Sequence, residues 1–282
     1  MLEAPNIFRT RHTDEFNYDF ERGAGGSKLM ATVNRRGTVK ANTVTFDVVD
    51  PGDEMVEKGR DGVIPASDLG LSQVSTTFTR RYKKFKLDDF DAWRANPNMT
   101  QAMNERGLAA AWRYVDQAIV DQLDTATTNM GAAAILSTLA EVSEWVETLA
   151  NNDVDIDNDN VFGVVTHRAW SQMLRIPEFK SSDYTEVKVM DGAYSVKMKN
   201  FLGVNWTKWN GLTGKQTASA KCYLYHRSAI GHMLEGTPKV QYFDGTENDY
   251  AGVWYRVTQA SKLLLQRGVV QYLHNDTTAL TA

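Results

Sequence analysis

Hydrophobic positions alternate with polar ones near the start of the chain, which predicts a pair of strands. Val44, Phe46 and Val48 are separated by single polar residues, as on a strand with one buried face. A second run with strand character covers residues 73–87. The stretch between the two, PGDEMVEKGRDGVIPASDLG, is rich in turn residues and has no apolar repeat. We therefore expect a long hairpin over residues 30–87, with arms of about 20 residues and an exposed tip.

The apolar repeat then changes to a spacing of three or four residues, which predicts helices. The first stripe consists of Leu108, Trp112, Val115, Ile119 and Leu123. It predicts a helix from Met99 to about Thr125, and Asn96 with Pro97 supplies a capping residue and a first-turn proline. A second apolar stripe predicts another helix from Ala132 to Leu149.

Strand character returns in the second half of the chain. Residues 161–166 form a short apolar run that predicts a buried strand, and a short helix follows before Pro177. From Tyr184 onward most segments alternate in the manner of strands. The fold class predicted by this order is α+β, with two prominent helices and mostly antiparallel strands.

Composition limits the possible functions. The chain has 282 residues and a net charge of −4, so its overall charge does not favour a nucleic-acid-binding protein. A single cysteine, Cys222, cannot form an internal disulfide framework. The first residues lack the apolar core of a signal peptide, and no apolar run approaches the ~20 residues of a membrane span, so we expect no membrane partner.

Patterns typical of catalytic or metal sites are incomplete in this sequence. The acidic run at residues 151–160 resembles a calcium loop but has Asn158 and Val164 where Gly and Glu are needed. Cys222, His226 and His232 offer no fourth zinc ligand. We therefore assign no catalytic, cofactor-binding or metal-ligating residue and expect no enzyme. The alternative is a metal-dependent hydrolase that uses the carboxylates of residues 153–159 together with His167.

Charge separates the two ends of the predicted hairpin. The tip, residues 51–70, has five acidic and two basic side chains, a net charge of −3. Its candidate contact residues are Asp53, Glu54, Glu57, Lys58, Arg60 and Asp61. The candidate residues at the hairpin base are Arg80, Arg81, Lys83, Lys84 and Lys86. We expect the acidic tip of one copy to lie on the basic base of another. A solvated strand edge and a surface for single-stranded nucleic acid are the alternatives.

The order of these parts resembles the major capsid protein of tailed bacteriophages, which has the HK97-like fold. The predicted hairpin corresponds to the E-loop of that family, and MTQAMNERGLAAAWRYVDQAIVDQLDTA is similar to its spine helix. The resemblance implies an N-terminal arm at residues 1–29, an E-loop at 30–87, a peripheral domain with the spine helix at 88–131, an axial domain at 132–234 and peripheral return strands at 235–282.

The resemblance also implies a function and a set of partners. Copies of the chain would assemble into hexamers and pentamers of an icosahedral capsid that encloses double-stranded DNA. A separate scaffolding protein, a portal and a decoration protein would be partners, and contact with the packaged DNA would be weak and non-specific. Assembly would take place in the host cytoplasm, and the product would be the virion capsid. The alternative on the same fold is an encapsulin-like cellular shell.

Overall fold

The computed structural model describes residues 26–49, 57–58, 60, 62, 70–88, 98–157, 159–180, 199–245 and 250–279. The helices are α1 (Asn98–Leu123), α2 (Leu139–Ala150), α3 (His167–Met173) and α4 (Pro177–Lys180). The strands are β1 (Thr38–Lys40), β2 (Thr43–Val49), β3 (Leu71–Thr77), β4 (Thr79–Asp88), β5 (Asn129–Ala134), β6 (Val161–Val165), β7 (Lys199–Phe201), β8 (Val204–Lys208), β9 (Ala220–His226), β10 (Ile230–Leu234), β11 (Lys239–Gly245), β12 (Tyr250–Leu263) and β13 (Val269–His274). Across these residues, no helix has the length and hydrophobicity needed to cross a membrane.

A six-stranded sheet in the order β5-β13-β9-β6-β8-β7 forms the larger core. One face packs on α2, where the ring of Trp145 lies 5.4 Å from that of Trp206 and 5.1 Å from that of Tyr272. The other face packs on the second half of α1 through Ile119 and Leu123. Both faces are buried, which explains the nearly unbroken apolar runs in β6 and β9.

A smaller sheet is built around β12. On one side β12 pairs with β4, and on the other it pairs with β10 and β11 in succession. α1 covers one face of this sheet as far as Val115, with Ala111 and Val115 packed against Val257. Because α1 contacts this sheet as far as Val115 and the six-stranded sheet from Ile119 to Leu123, it holds the two sheets together.

The predicted hairpin is present, and in the part of the chain that the structure describes its arms pair through β2 and β3. β2 and β3 pair from Thr43 opposite Thr77 to Val49 opposite Leu71, with β1 added at the outer edge of β2. Beyond Phe78 the same strand leaves β2, and as β4 it pairs with β12 over ten positions. The basic residues 80–86 therefore lie in the four-stranded sheet and not between the two hairpin arms.

The extent of the first helix is confirmed for α1, while its predicted cap, Asn96 with Pro97, lies outside the described residues; the second helix is corrected for α2. The predicted start of the second helix at Ala132 is wrong, because residues 129–134 form β5 beside β13 and the helix begins at Leu139. Thr138 and Glu141 form a capping box at that point, which sets the helix start.

The predicted boundary at residue 235, between the axial domain and the peripheral return strands, does not coincide with the division of the strands between the two sheets. β10, before this point, belongs to the sheet around β12, whereas β13, after it, lies inside the six-stranded sheet. β13 belongs to the six-stranded sheet because five of its six residues are buried there, and the strand is flanked by β5 and β9. The predictions for residues 1–25 and 184–190 lie outside the described residues.

Candidate intersubunit surface

The five basic residues predicted at the hairpin base all lie on β4, but they point to two different faces of the sheet. The register with β12 places Arg81 opposite Val257 and Lys83 opposite Tyr255, on the face that α1 covers. Arg80, Lys84 and Lys86 lie on the opposite face of the same strand. Successive side chains of a strand point to opposite faces, so the five basic residues, which lie close together in the sequence, are divided between the two faces of the sheet.

On the helix side, Arg81 and Lys83 border a cleft between β4 and α1. The cleft has a volume of about 380 Å³ and is floored by small residues of the helix, including Gly107 and Ala111. The guanidinium carbon of Arg81 lies 5.9 Å from the centre of the Tyr114 ring. Lys83 Nζ lies 5.4 Å from the centre of the Phe85 ring. Both cations thus lie near aromatic rings on the side of the sheet that the helix occupies.

The opposite face, here called the outer face, combines cations with exposed aromatic rings. Tyr82 is 61% exposed, and its ring lies 6.1 Å from that of Trp254. Lys84 Nζ lies 4.1 Å from the centre of the Phe243 ring, a distance typical of a cation–π contact. These side chains come from three adjacent strands, so the outer face is a continuous surface and not a single strand edge.

Two further cations belong to the outer face and were not predicted from the sequence. Arg256 lies opposite Tyr82 on one side and opposite Lys239 on the other. Alternation within each strand could assign a residue to a face, but the sequence does not show that β4, β11 and β12 are neighbours. Among the described residues, the cations grouped on this part of the outer face are therefore Arg80, Lys84, Lys86, Lys239 and Arg256.

The carboxylate of Glu235 shows the electrostatic effect of these cations. A hydrogen bond from Thr258 lowers the pKa of Glu235, and the charges of Arg80, Arg256 and Lys239 lower it further. A carboxylate at the edge of this face is thus held in its ionised form. The same field favours any acidic segment that approaches the outer face.

The structure describes three of the six residues predicted at the hairpin tip. Glu57, Lys58 and Arg60 are exposed. Asp53, Glu54 and Asp61 lie outside the described residues. Among the described residues, no ion pair joins the tip to the basic side chains of β4 within one copy.

The residues considered for metal binding are distributed over separate sheets. Cys222 is fully buried on β9, and burial raises the pKa of its thiol to about 12. His232 lies on β10 in the other sheet, where its Nδ1 hydrogen-bonds Ser261 Oγ at 2.8 Å. Over the part of the chain that the structure describes, no group of three or more His, Cys, Asp or Glu side chains is placed to hold a metal ion.

Comparison with known proteins identifies the family. The family model described as phage capsid protein matches residues 15–275. No curated protein matches the chain. A solved structure from Mycobacterium phage Che8 superposes with a TM-score of 0.66 at 18% identity, covering 94% of this chain and 94% of that one. The capsid structure of cyanophage P-SCSP1u gives a TM-score of 0.64 at 11% identity, covering 93% and 91%.

A virus-like particle from Pyrococcus furiosus superposes with a TM-score of 0.58 at 10% identity, covering 96% of this chain and 100% of that chain. At these identities the superpositions show the fold, while the family match, which spans nearly the whole chain, shows the relationship. The protein belongs to the phage capsid protein family, and it is a structural, capsid-forming component of the virion with the HK97-like α+β fold of a tailed-phage major capsid protein.

Proposed function

We propose that copies of this chain assemble into the hexamers and pentamers of an icosahedral capsid that encloses double-stranded DNA, and that the protein has no enzymatic activity. Assembly takes place in the host cytoplasm with a separate scaffolding protein, and a portal and a decoration protein complete the particle. The net charge of −4 suits a shell whose contact with packaged DNA is weak. The family match favours this function over the encapsulin-like alternative.

The contact between neighbouring copies forms between the acidic tip of one hairpin and the outer face of the next copy. The observation that supports this proposal is the position of Arg80, Lys84 and Lys86 on the sheet face that α1 leaves uncovered. The tip carries a net charge of −3, so its charge is opposite to that of the outer face. The rings of Tyr82 and Trp254 offer apolar area beside the cations.

Many weak contacts suffice for a shell of this kind. An exposed ion pair contributes about 0.2–1 kcal/mol, so a single tip contact cannot hold two copies together. Repetition around closed rings multiplies the contacts and fixes their orientation. Salt should weaken the contact because both partners are exposed and therefore screened.

A comparison of the two faces of β4 tests the proposal. In the first variant, Arg80→Glu and Lys84→Glu reverse charge on the outer face. In the matched control, Arg81→Glu and Lys83→Glu make the same change on the helix side of the same strand. We expect the outer-face variant to lose particles in sedimentation while its monomer keeps its circular dichroism, and the control to assemble.

A charge swap adds a second readout. Combining the outer-face variant with Glu54→Lys and Glu57→Lys in the tip should restore part of the assembly, because opposite charges again face each other. Normal shells from the outer-face variant would contradict the proposed contact. Equal loss of assembly in both β4 variants would show that charge on the outer face is not the determinant.

A further inference from the structure

A second cationic cleft lies on the six-stranded sheet, far along the chain from the hairpin. It has a volume of about 380 Å³ and lies between the start of α3 and the loop that follows β8. His167 and Arg168 line it from the helix, and Trp209 and Lys215 line it from the loop. Parallel strands β6 and β8 end at this point, which brings the two segments together.

Arg168 and Lys215 of this cleft, and the neighbouring Lys208, are held in place but are not neutralised. Arg168 Nε donates to the carbonyl oxygen of Thr278 at 3.0 Å. Lys215 Nζ donates to the carbonyl oxygen of Asn210 at 3.1 Å. Lys208 Nζ lies 5.7 Å from the centre of the Trp170 ring. Within the described ranges, none of these three cations forms an ion pair.

Asp276, the acidic residue that lines the cleft, already has hydrogen-bond partners on both carboxylate oxygens. Asp276 Oδ1 accepts a hydrogen bond from Thr166 Oγ1 at 2.7 Å and lies 2.7 Å from His274 Nδ1. Its Oδ2 accepts a hydrogen bond from the backbone N–H of Gln216 at 3.0 Å. These donors hold Asp276 ionised, but its single negative charge is outnumbered by the positive charges of Arg168, Lys208 and Lys215, so the net charge is positive and suits an acidic ligand.

The N-terminal segment enters the described part of the structure beside this cleft. Asp116 of α1 accepts hydrogen bonds from Ser27 Oγ at 2.5 Å and from the backbone N–H of Leu29 at 3.1 Å. Leu29 shares a buried cluster with Trp209, which lines the cleft. The pKa of His167 is lowered by partial burial and then by the charges of Lys208, Lys28 and Lys215, as expected if Lys28 lies close to the cleft.

The sequence just before this anchor is complementary to the cleft. Residues 14–21, DEFNYDFE, contain four acidic side chains, three aromatic ones and no basic one. GAGG at residues 23–26 provides a permissive connection to the anchor. Six residues lie between Glu21 and Lys28, and the seven Cα–Cα steps across them reach up to about 25 Å.

We propose that residues 14–21 of the arm dock in the cleft lined by His167, Arg168 and Lys215 of the same chain, with Lys208 beside it at the end of β8. The acidic side chains of the segment pair with the cations in and beside the cleft. The short tether favours the same copy over a neighbour, because it gives the segment a high effective concentration at the cleft. The docked arm covers the ends of β6 and β8.

Hydrogen exchange of the full-length chain, kept dilute enough to remain monomeric, tests this proposal. We expect the amides of residues 14–21 to exchange at least about ten-fold more slowly than in the free peptide of the same sequence. Lys208→Glu with Lys215→Glu should abolish this protection. The control pair, Arg36→Glu with Lys40→Glu, makes the same charge change at exposed positions near the hairpin and should leave the protection unchanged.

Rescue and dilution complete the test. Adding Asp14→Lys, Glu15→Lys and Asp19→Lys to the cleft variant should restore the protection. If charge reversal unfolds the sheet, the neutral variant Lys208→Gln with Lys215→Gln replaces it, and we expect this variant to reduce the protection of residues 14–21. Exchange of residues 14–21 at the free-peptide rate in the parent chain would overturn the proposal. So would protection that survives the cleft changes or that disappears on dilution, since the latter points to a neighbouring copy.

Discussion

The ring of Tyr255 in β12 lies so close to Gly107 of α1 that a β-carbon added at residue 107 would be 2.2 Å from a ring carbon. The ring is held in this position from the helix, because Tyr255 Oη donates to Asn104 Oδ1 at 2.6 Å. A glycine in the middle of α1 thus allows the helix to approach the four-stranded sheet at the point where a side chain would separate them.

Replacing this glycine should destabilise the protein. In an isolated helix interior, Gly→Ala gains about 1 kcal/mol, but here the added methyl overlaps a fixed ring, and overpacking costs about 1–3 kcal/mol. We expect Gly107→Ala to lower the free energy of unfolding in urea. In a Tyr255→Leu background the same glycine change should cost less, because the smaller side chain removes the overlap. A more stable Gly107→Ala variant would contradict this account of the helix contact.

Asp116 anchors the start of the described chain, and its loss should be costly. Its carboxylate is 2% exposed and accepts hydrogen bonds from Ser27, Lys28 and Leu29. Asp116→Ala leaves these donors, among them the buried N–H of Leu29, without their acceptor, so we expect a loss of about 2–4 kcal/mol in the free energy of unfolding. Asp121→Ala, on the same helix but exposed, is the matched control and should change stability by less than about 0.5 kcal/mol. Similar losses in both variants would contradict an anchoring role for Asp116.

His232 should make stability fall in mild acid. Burial, together with the charge of Arg35, lowers its pKa from 6.5 to about 4. Below about pH 6.5 the unfolded chain therefore binds a proton that the folded chain does not, and stability falls until about pH 4. At 1.36 kcal/mol per pKa unit, this contribution amounts to about 3 kcal/mol. Urea unfolding at about pH 7 and pH 4.5 should show a smaller difference for His232→Gln than for the parent chain. An unchanged difference would remove His232 as the cause.

Cys222 should be inert while the protein is folded. Its side chain is fully buried, and the raised pKa keeps the sulfur as a thiol, the less reactive form. We expect no reaction with a water-soluble aromatic disulfide reagent in native buffer and one equivalent of reaction in denaturant. Rapid labelling of the native chain would show that β9 opens more readily than its burial implies.

The sequence predicted those elements whose pattern is local. The apolar stripe of α1 predicted residues 99–125, and the helix spans Asn98–Leu123. The alternation of Val44, Phe46 and Val48 correctly predicted a strand with one buried face. Both patterns depend on side chains that face one core surface, so neighbouring residues alone reveal them.

Elements that depend on distant partners could not be predicted in this way. NMGAAA contains good helix formers, yet it forms β5 because Gln271 and Tyr272 of β13 provide a ladder beside it. For the same reason the sequence could not show that β4 pairs with β12, about 170 residues away along the chain. The same limit applies to the candidate site. The cations of β4 are adjacent in the sequence and could be predicted, whereas Arg256 and Lys239 come beside them only through strand pairing.

Assembly itself is the central claim, and electron microscopy of the purified chain in negative stain, together with its sedimentation profile, tests it most directly. We expect closed shells or flat sheets of hexamers and pentamers, either from the chain alone or after co-expression with its scaffolding protein. A uniform monomer under both conditions would contradict the proposal that this chain builds the shell.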